Sequence, residues 1–172
     1  MEIPKNPPTR HHPALVLLLL LIVLPLSAQE FGRNKVRHEV FDFQAYRSTT
    51  FDVLAYPPVE SVAVDSARML EGWNRRYRTL FNHTLSSRQP VILYEHHTDF
   101  ARTNLIPGLV PQGVRGVTEG RGRRIVLPLS PSYAQNNHVL GHELVHAFHF
   151  DLQRGRRSRA PLWFLEGMAE YA

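Results

Sequence analysis

The chain of 172 residues contains no cysteine. That absence removes disulfides as a source of stability, thiolates as metal ligands or nucleophiles, and a cysteine-linked lipid anchor. Acidic residues are in deficit, 15 Asp and Glu against 20 Lys and Arg. No internal repeat is visible. The apolar run from Ala14 to Leu26, broken by Pro25, is too short for a comfortable membrane span. Arginines cluster at Arg75, Arg76 and Arg78, at Arg115 to Arg124 and at Arg154 to Arg159, and the glycine-rich runs among them lack interleaved aromatics. This argues against nucleic acid as a partner and for solvated loops, or for a bias toward acidic partners and anionic envelope surfaces.

What is present begins with an export leader. Residues 1–28 carry a basic region (Lys5, Arg10, His11, His12), the apolar stretch just described, and a small-residue cleavage site at Leu26-Ser27-Ala28. The expected location is periplasmic or extracellular, with membrane anchoring by an uncleaved leader as the alternative. Cleavage would leave residues 29–172, enough for one domain with a real core, and would lower the net charge from +5 to +4, because Lys5 and Arg10 leave together with Glu2.

The chemistry lies in the last thirty residues. His142-Glu143-Leu144-Val145-His146 places two histidines four apart, on one face of a helix, where both imidazoles can reach one metal while Glu143 reaches a water beside it. Alone, that pattern equally fits an amphipathic helix with two surface histidines. After nineteen intervening residues stands Glu166-Gly167-Met168-Ala169-Glu170. The interval lets the first helix end, a loop turn back, and a second helix deliver Glu166 as third ligand. Two His and one Glu leave a fourth tetrahedral position open, as in catalytic rather than structural zinc sites. The pair of motifs therefore reads as a zinc hydrolase, with His142, His146 and Glu166 as ligands and Glu143 as general base. The arrangement with a third histidine further along the same helix is excluded, because the chain has His149 and Leu152 where it needs glycine and histidine.

Neighbouring residues fit this geometry. Gly141 costs helix propensity, so its expected use is close approach by another segment. Asp151 to Arg159 reads as a loop, and Pro161 suits the start of the next helix. Glu170, one turn after Glu166, is expected either to accept the free N–H of His142 or His146, fixing the ligating tautomer, or to be a solvated helix carboxylate. His149 and His138 read as helix-surface or supporting histidines, and His96 and His97, after a predicted strand, as a solvent-exposed pair or, alternatively, as part of a cleft wall.

Upstream, Val36 to Phe43 and Thr50 to Tyr56 alternate like paired strands, and Val59 to about Phe81 has the three-to-four-residue apolar period of a long helix. Gln89 to Tyr94 reads as a short buried strand, Thr98 to Leu105 as a short helix, and Gly113 to Thr118 with Arg123 to Leu129 as two strands about a Glu119-Gly120-Arg121-Gly122 turn. The order predicts an α+β domain whose mixed sheet lies over the HExxH metal helix. Arg123 to Leu129 is expected at the sheet edge beside the metal, partly because Pro128 is best tolerated there, and there it could pair with an extended peptide.

The zinc motifs, with Trp163-Phe164-Leu165 leading into Glu166, resemble the gluzincin group of zinc metallopeptidases, in particular the peptidase MA-like domains of exported bacterial proteins. Phe31-Gly32-Arg33-Asn34-Lys35-Val36, Gly116-Val117-Thr118-Glu119-Gly120 and Arg124-Ile125-Val126-Leu127-Pro128 are similar to the version that precedes a Tol-type β-propeller. The resemblance implies a zincin-like N-terminal subdomain, Zn2+ as cofactor, a peptide or protein substrate, and the same ligand and base assignments. It also implies a C-terminally incomplete domain, since Ala172 falls inside the helix that carries Glu166, before a far cleft wall and before the Tyr or His that gluzincins place at the oxyanion. An envelope binding or assembly module that keeps the zinc fold without catalysis, linked to a propeller, is the alternative. A basic surface-binding domain in which the two motifs never meet is a third. Specificity, endo- or exo-cleavage and oligomeric state are not legible.

Overall fold

The computed structural model describes residues 40–57, 59–106, 108–154 and 160–172. The expected leader at 1–28, the motif at 31–36 and most of the arginine run at 154–159 lie outside the described residues. Nine elements follow in order: β1 (Gln44–Arg47), β2 (Phe51–Ala55), α1 (Glu60–Leu80), β3 (Gln89–Tyr94), α2 (His97–Ala101), β4 (Val117–Glu119), β5 (Arg124–Pro128), α3 (Tyr133–Leu152) and α4 (Leu162–Tyr171). They make an α+β fold around a five-stranded mixed sheet of order β1-β2-β3-β5-β4. The central pairs β2/β3 and β3/β5 are parallel, and the outer pairs β1/β2 and β4/β5 are antiparallel. Among the described residues no helix is long and apolar enough to cross a membrane.

Register explains the core. Val53, Val91 and Ile125 are cross-strand partners on one face, and all three are fully buried. The helices α1 and α3 pack against each other and against the sheet. Tyr77 and Phe81 of α1 meet the Phe148 ring of α3, with centroids 6.0 and 5.6 Å apart. Gly141 does what its cost in propensity suggests: a Cβ there would lie 2.8 Å from Cε2 of Trp73, whose Nε1 donates to the Asn137 carbonyl at 3.1 Å. Two residues before Trp73, Glu71 accepts from the Thr50 N–H at 2.7 Å and the Ser48 hydroxyl at 2.8 Å, tying the β1–β2 turn to the middle of α1. Burial alone would raise the Glu71 pKa, but these hydrogen bonds outweigh it and hold the carboxyl below its ordinary value.

Several expectations are corrected. Of the strand expected over Val36 to Phe43, residues 36–39 lie outside the described residues, and Phe41 and Phe43 pack on Tyr56 and Tyr94 rather than building a ladder, so the first described strand is Gln44–Arg47. The strand expected from Gly113 is only Val117–Glu119, and α3 runs through Asp151, expected in a loop. Arg124–Pro128 is interior, not an edge: it lies between β3 and β4, and Ile125, Val126 and Leu127 are all fully buried, as in a strand covered on both faces. Pro128 fits there because its missing donor faces the β4 side, which β4 leaves at Val117 opposite Val126, while Leu129 N–H continues the ladder to the Tyr94 carbonyl at 2.7 Å. The edge strand beside α3 is β4.

Candidate active site

Helix α3 starts on a Ser132 cap, whose hydroxyl accepts from Gln135 N–H at 3.3 Å, and runs under β4 and β5. Its Leu140, Leu144 and Phe148 are fully buried, which turns His142 and His146 toward a cleft between β4, the 113–116 segment and α4. Helix α4 packs on α3 and brings Glu166 to face both histidines. The His142 Nε2 to His146 Nε2 distance is 3.2 Å, His142 Nε2 to Glu166 Oε2 is 3.4 Å, and His146 Nε2 to Glu166 Oε2 is 3.6 Å. A tetrahedral zinc with ligand bonds of about 2.0–2.2 Å requires donor atoms about 3.3–3.6 Å apart. The three donors match those edges, and their chemistry, two imidazole nitrogens and a carboxylate oxygen, suits zinc. Burial, more than its neighbours, lowers the His146 pKa; Glu166 opposes the shift and His142 adds to it. The neutral ring is the form that ligates a metal.

Glu143 lines the cleft and is only 6% exposed. The Thr118 hydroxyl of β4 donates to its Oε2 at 2.7 Å and lies 2.8 Å from its backbone carbonyl. Burial pushes the Glu143 carboxyl up to about 7, with the Thr118 hydrogen bond pulling it down and the Glu166 charge pushing it further up. Gly116 makes the fit possible, since a Cβ there would lie 2.8 Å from Glu143 Oε1. Sequence reasoning missed Thr118 and Gly116 as site residues. The available signal was their two-residue spacing, which puts both on one face of an extended segment.

Glu170 lies 3.7 Å from His142 Nδ1 and 3.4 Å from His138 Nε2, between the two rings. It therefore faces the nitrogen of His142 that is turned away from Glu166, and a half-exposed His138. His149 is not at the helix surface: it is buried beside His146 and Phe81, its Nδ1 has no partner, and burial first, then the His146 charge, lowers its pKa to about 4. His97 is half-buried rather than exposed, with Nε2 3.2 Å from the Val114 carbonyl. The cleft, about 600 Å³, adds Phe150, Leu162 and Leu165 as apolar wall.

A buried carboxylate anchors the far end of α3. Asp151, its side chain 2% exposed, accepts from His83 Nε2 at 2.9 Å, Ser86 N–H at 2.8 Å, the Ser86 hydroxyl at 2.6 Å and Arg123 Nη2 at 2.6 Å. No protein-family model matches the chain, and no curated protein sequence matches it either.

Proposed function

We propose that the protein is an exported zinc metallopeptidase with a zincin-like domain of the gluzincin kind. The observation that carries the reading is the closing of His142, His146 and Glu166 into a triangle of tetrahedral dimensions beside a buried, unpaired-to-cation Glu143. Zinc, when bound, would polarise a peptide carbonyl and lower the pKa of a nearby water to about 7. Glu143, oriented by Thr118, takes a proton from the water that attacks the carbonyl and gives it to the leaving amine as the C–N bond breaks. A carboxyl pushed up to about 7 by burial is suited to both transfers. Glu170, exposed and 3.7 Å from His142 Nδ1, stands beyond hydrogen-bond distance and offers that side of the ring a nearby negative charge.

Substrate geometry follows from the corrected sheet. The outer edge of β4 is unpaired within the sheet and borders the cleft, so an extended peptide can add there as a further strand with its carbonyl over the ligand triangle. The leader at residues 1–28 would place this activity in the periplasm or outside the cell.

The test is zinc content and peptide turnover in three proteins. Wild type is expected to hold about one zinc per chain and to cleave, Glu143→Gln to hold zinc without cleaving, and Glu166→Ala to lose zinc. Full turnover in the Glu143→Gln variant would remove the assignment. Zinc retained with no cleavage of any peptide by wild type would favour the non-catalytic binding module.

A further inference from the structure

A second, smaller cavity of about 200 Å³ opens off the cleft and shares Val114, Arg115 and Val139 with it. It sits where β3 and β5 end and α3 begins, with His97, Gln112 and Gln135 among its polar lining. The size is below the roughly 300–1,000 Å³ of independent small-molecule sites and suits one side chain of a longer ligand. We infer that this cavity is a specificity pocket for an acidic side chain, Asp or Glu, of a peptide held in the cleft, with Arg115 as its recognition residue. The inference rests on the peptide-binding reading of the adjoining cleft.

Charge decides the class of occupant. The main cleft contains Glu143, Glu166 and Glu170, whereas no carboxylate lines the small cavity. Arg115 is exposed at the junction and has no ion-pair partner among the described residues. A free guanidinium presents a planar fork of donors that fits a carboxylate bidentately. The first turn of the 20-residue helix α3 contributes Gln135 and Asn136 to the wall, and the positive end of the helix dipole favours an anion there. His97 is part of the polar wall, its Nε2 engaged 3.2 Å from the Val114 carbonyl, which leaves the exposed Arg115 guanidinium as the group that selects a carboxylate.

The experiment uses the full zinc-loaded chain and peptides that carry Glu or Gln at each position in turn. Binding is measured first by fluorescence anisotropy with the Glu143→Gln protein, which does not depend on turnover, and then cleavage with wild type. The expected result is one position at which Glu binds about tenfold tighter than Gln, with the ratio falling to about one in Arg115→Gln and keeping part of its value in Arg115→Lys. Equal binding of Glu and Gln at every position, a preference that survives Arg115→Gln, or no binding of any peptide would each overturn the pocket. A preference that depends on Arg115 without cleavage by wild type would uphold the pocket and overturn the peptidase reading; cleavage without a preference would do the reverse.

Discussion

Replacing Gly116 with alanine adds a single methyl group at the point where β4 approaches the presumed general base. The new Cβ would stand 2.8 Å from Glu143 Oε1, 2.9 Å from Cγ and 3.1 Å from Cδ, where ordinary contacts begin at 3.4 Å. The carboxylate must therefore retreat by roughly 0.5 Å. It cannot do so freely, because Thr118, two residues further on and within β4, holds Oε2 at 2.7 Å and Glu143 is almost wholly buried. Overpacking of this kind costs about 1–3 kcal/mol of stability. A displacement of about 1 Å can cost a catalytic group about 100-fold, so half of that predicts a loss of about 10-fold or somewhat more in kcat. None of the three ligand atoms is touched, so zinc content should be unchanged. The measurements are zinc by elemental analysis, unfolding by denaturant, and peptide turnover. Gly72→Ala is the control, since its Cβ would meet nothing closer than Arg75 Nη2 at 3.9 Å, and alanine there should stabilise α1 by about 0.5–1 kcal/mol. Wild-type stability and turnover in Gly116→Ala would refute the close approach of β4 to Glu143.

Thr118→Val removes one hydroxyl at nearly constant volume and is expected to keep zinc while lowering kcat by about 10- to 100-fold, the equivalent of about 1.5–3 kcal/mol for a hydrogen bond to a charged group; Thr118→Ser should recover most of it in the same turnover assay. Gly141→Ala should destabilise by about 1–3 kcal/mol in denaturant unfolding despite the better helix propensity of alanine, because the Trp73 indole 2.8 Å away is fixed by its bond to Asn137. Asp151→Ala should cost about 3–5 kcal/mol at pH 7, since it leaves Arg123 and His83 facing a buried void. Burial alone would raise the Asp151 pKa, but the bonds from Ser86 and His83 and the Arg123 charge hold it below 3.8 in the fold. Its contribution is therefore fully present above pH 3.8 and lost as pH falls through the lower folded value, so the stability difference between wild type and Asp151→Ala should narrow in acid below pH 3.8.

Elements whose signals were local were legible in the sequence. The apolar period from Val59 gave α1 to within a residue or two at each end, and the Gln89–Tyr94 strand has the expected bounds, because both segments bury a face that their own spacing defines. The meeting of the two zinc motifs was legible for a similar reason: spacing four apart fixes His142 and His146 on one helix face, and the interval to Glu166 allows only a short return. The placement of His149 was not, since three residues past His146 can mean either the surface or the seam with α1, and only the packing of Phe81 against it chooses the seam.

Strand order was the larger gap, and its cause is physical. Nothing within Arg124–Pro128 says whether one or two neighbours flank it, and a proline at its end reads equally as an edge mark or as the point where a short neighbour has stopped. The successive buried residues Ile125, Val126 and Leu127 carried the better signal, because only a strand with both faces covered can use three apolar residues in a row. Moving the edge to β4 also brings Thr118 onto Glu143 and sets Arg115 at the mouth of the second cavity. The short strand β4 and the residues leading into it, 113–119 together, thus border the base, the peptide edge and the Arg115 cavity. Substitutions in residues 113–119 should accordingly change turnover and side-chain preference while leaving zinc content intact, whereas substitutions at His142, His146 or Glu166 should abolish zinc first.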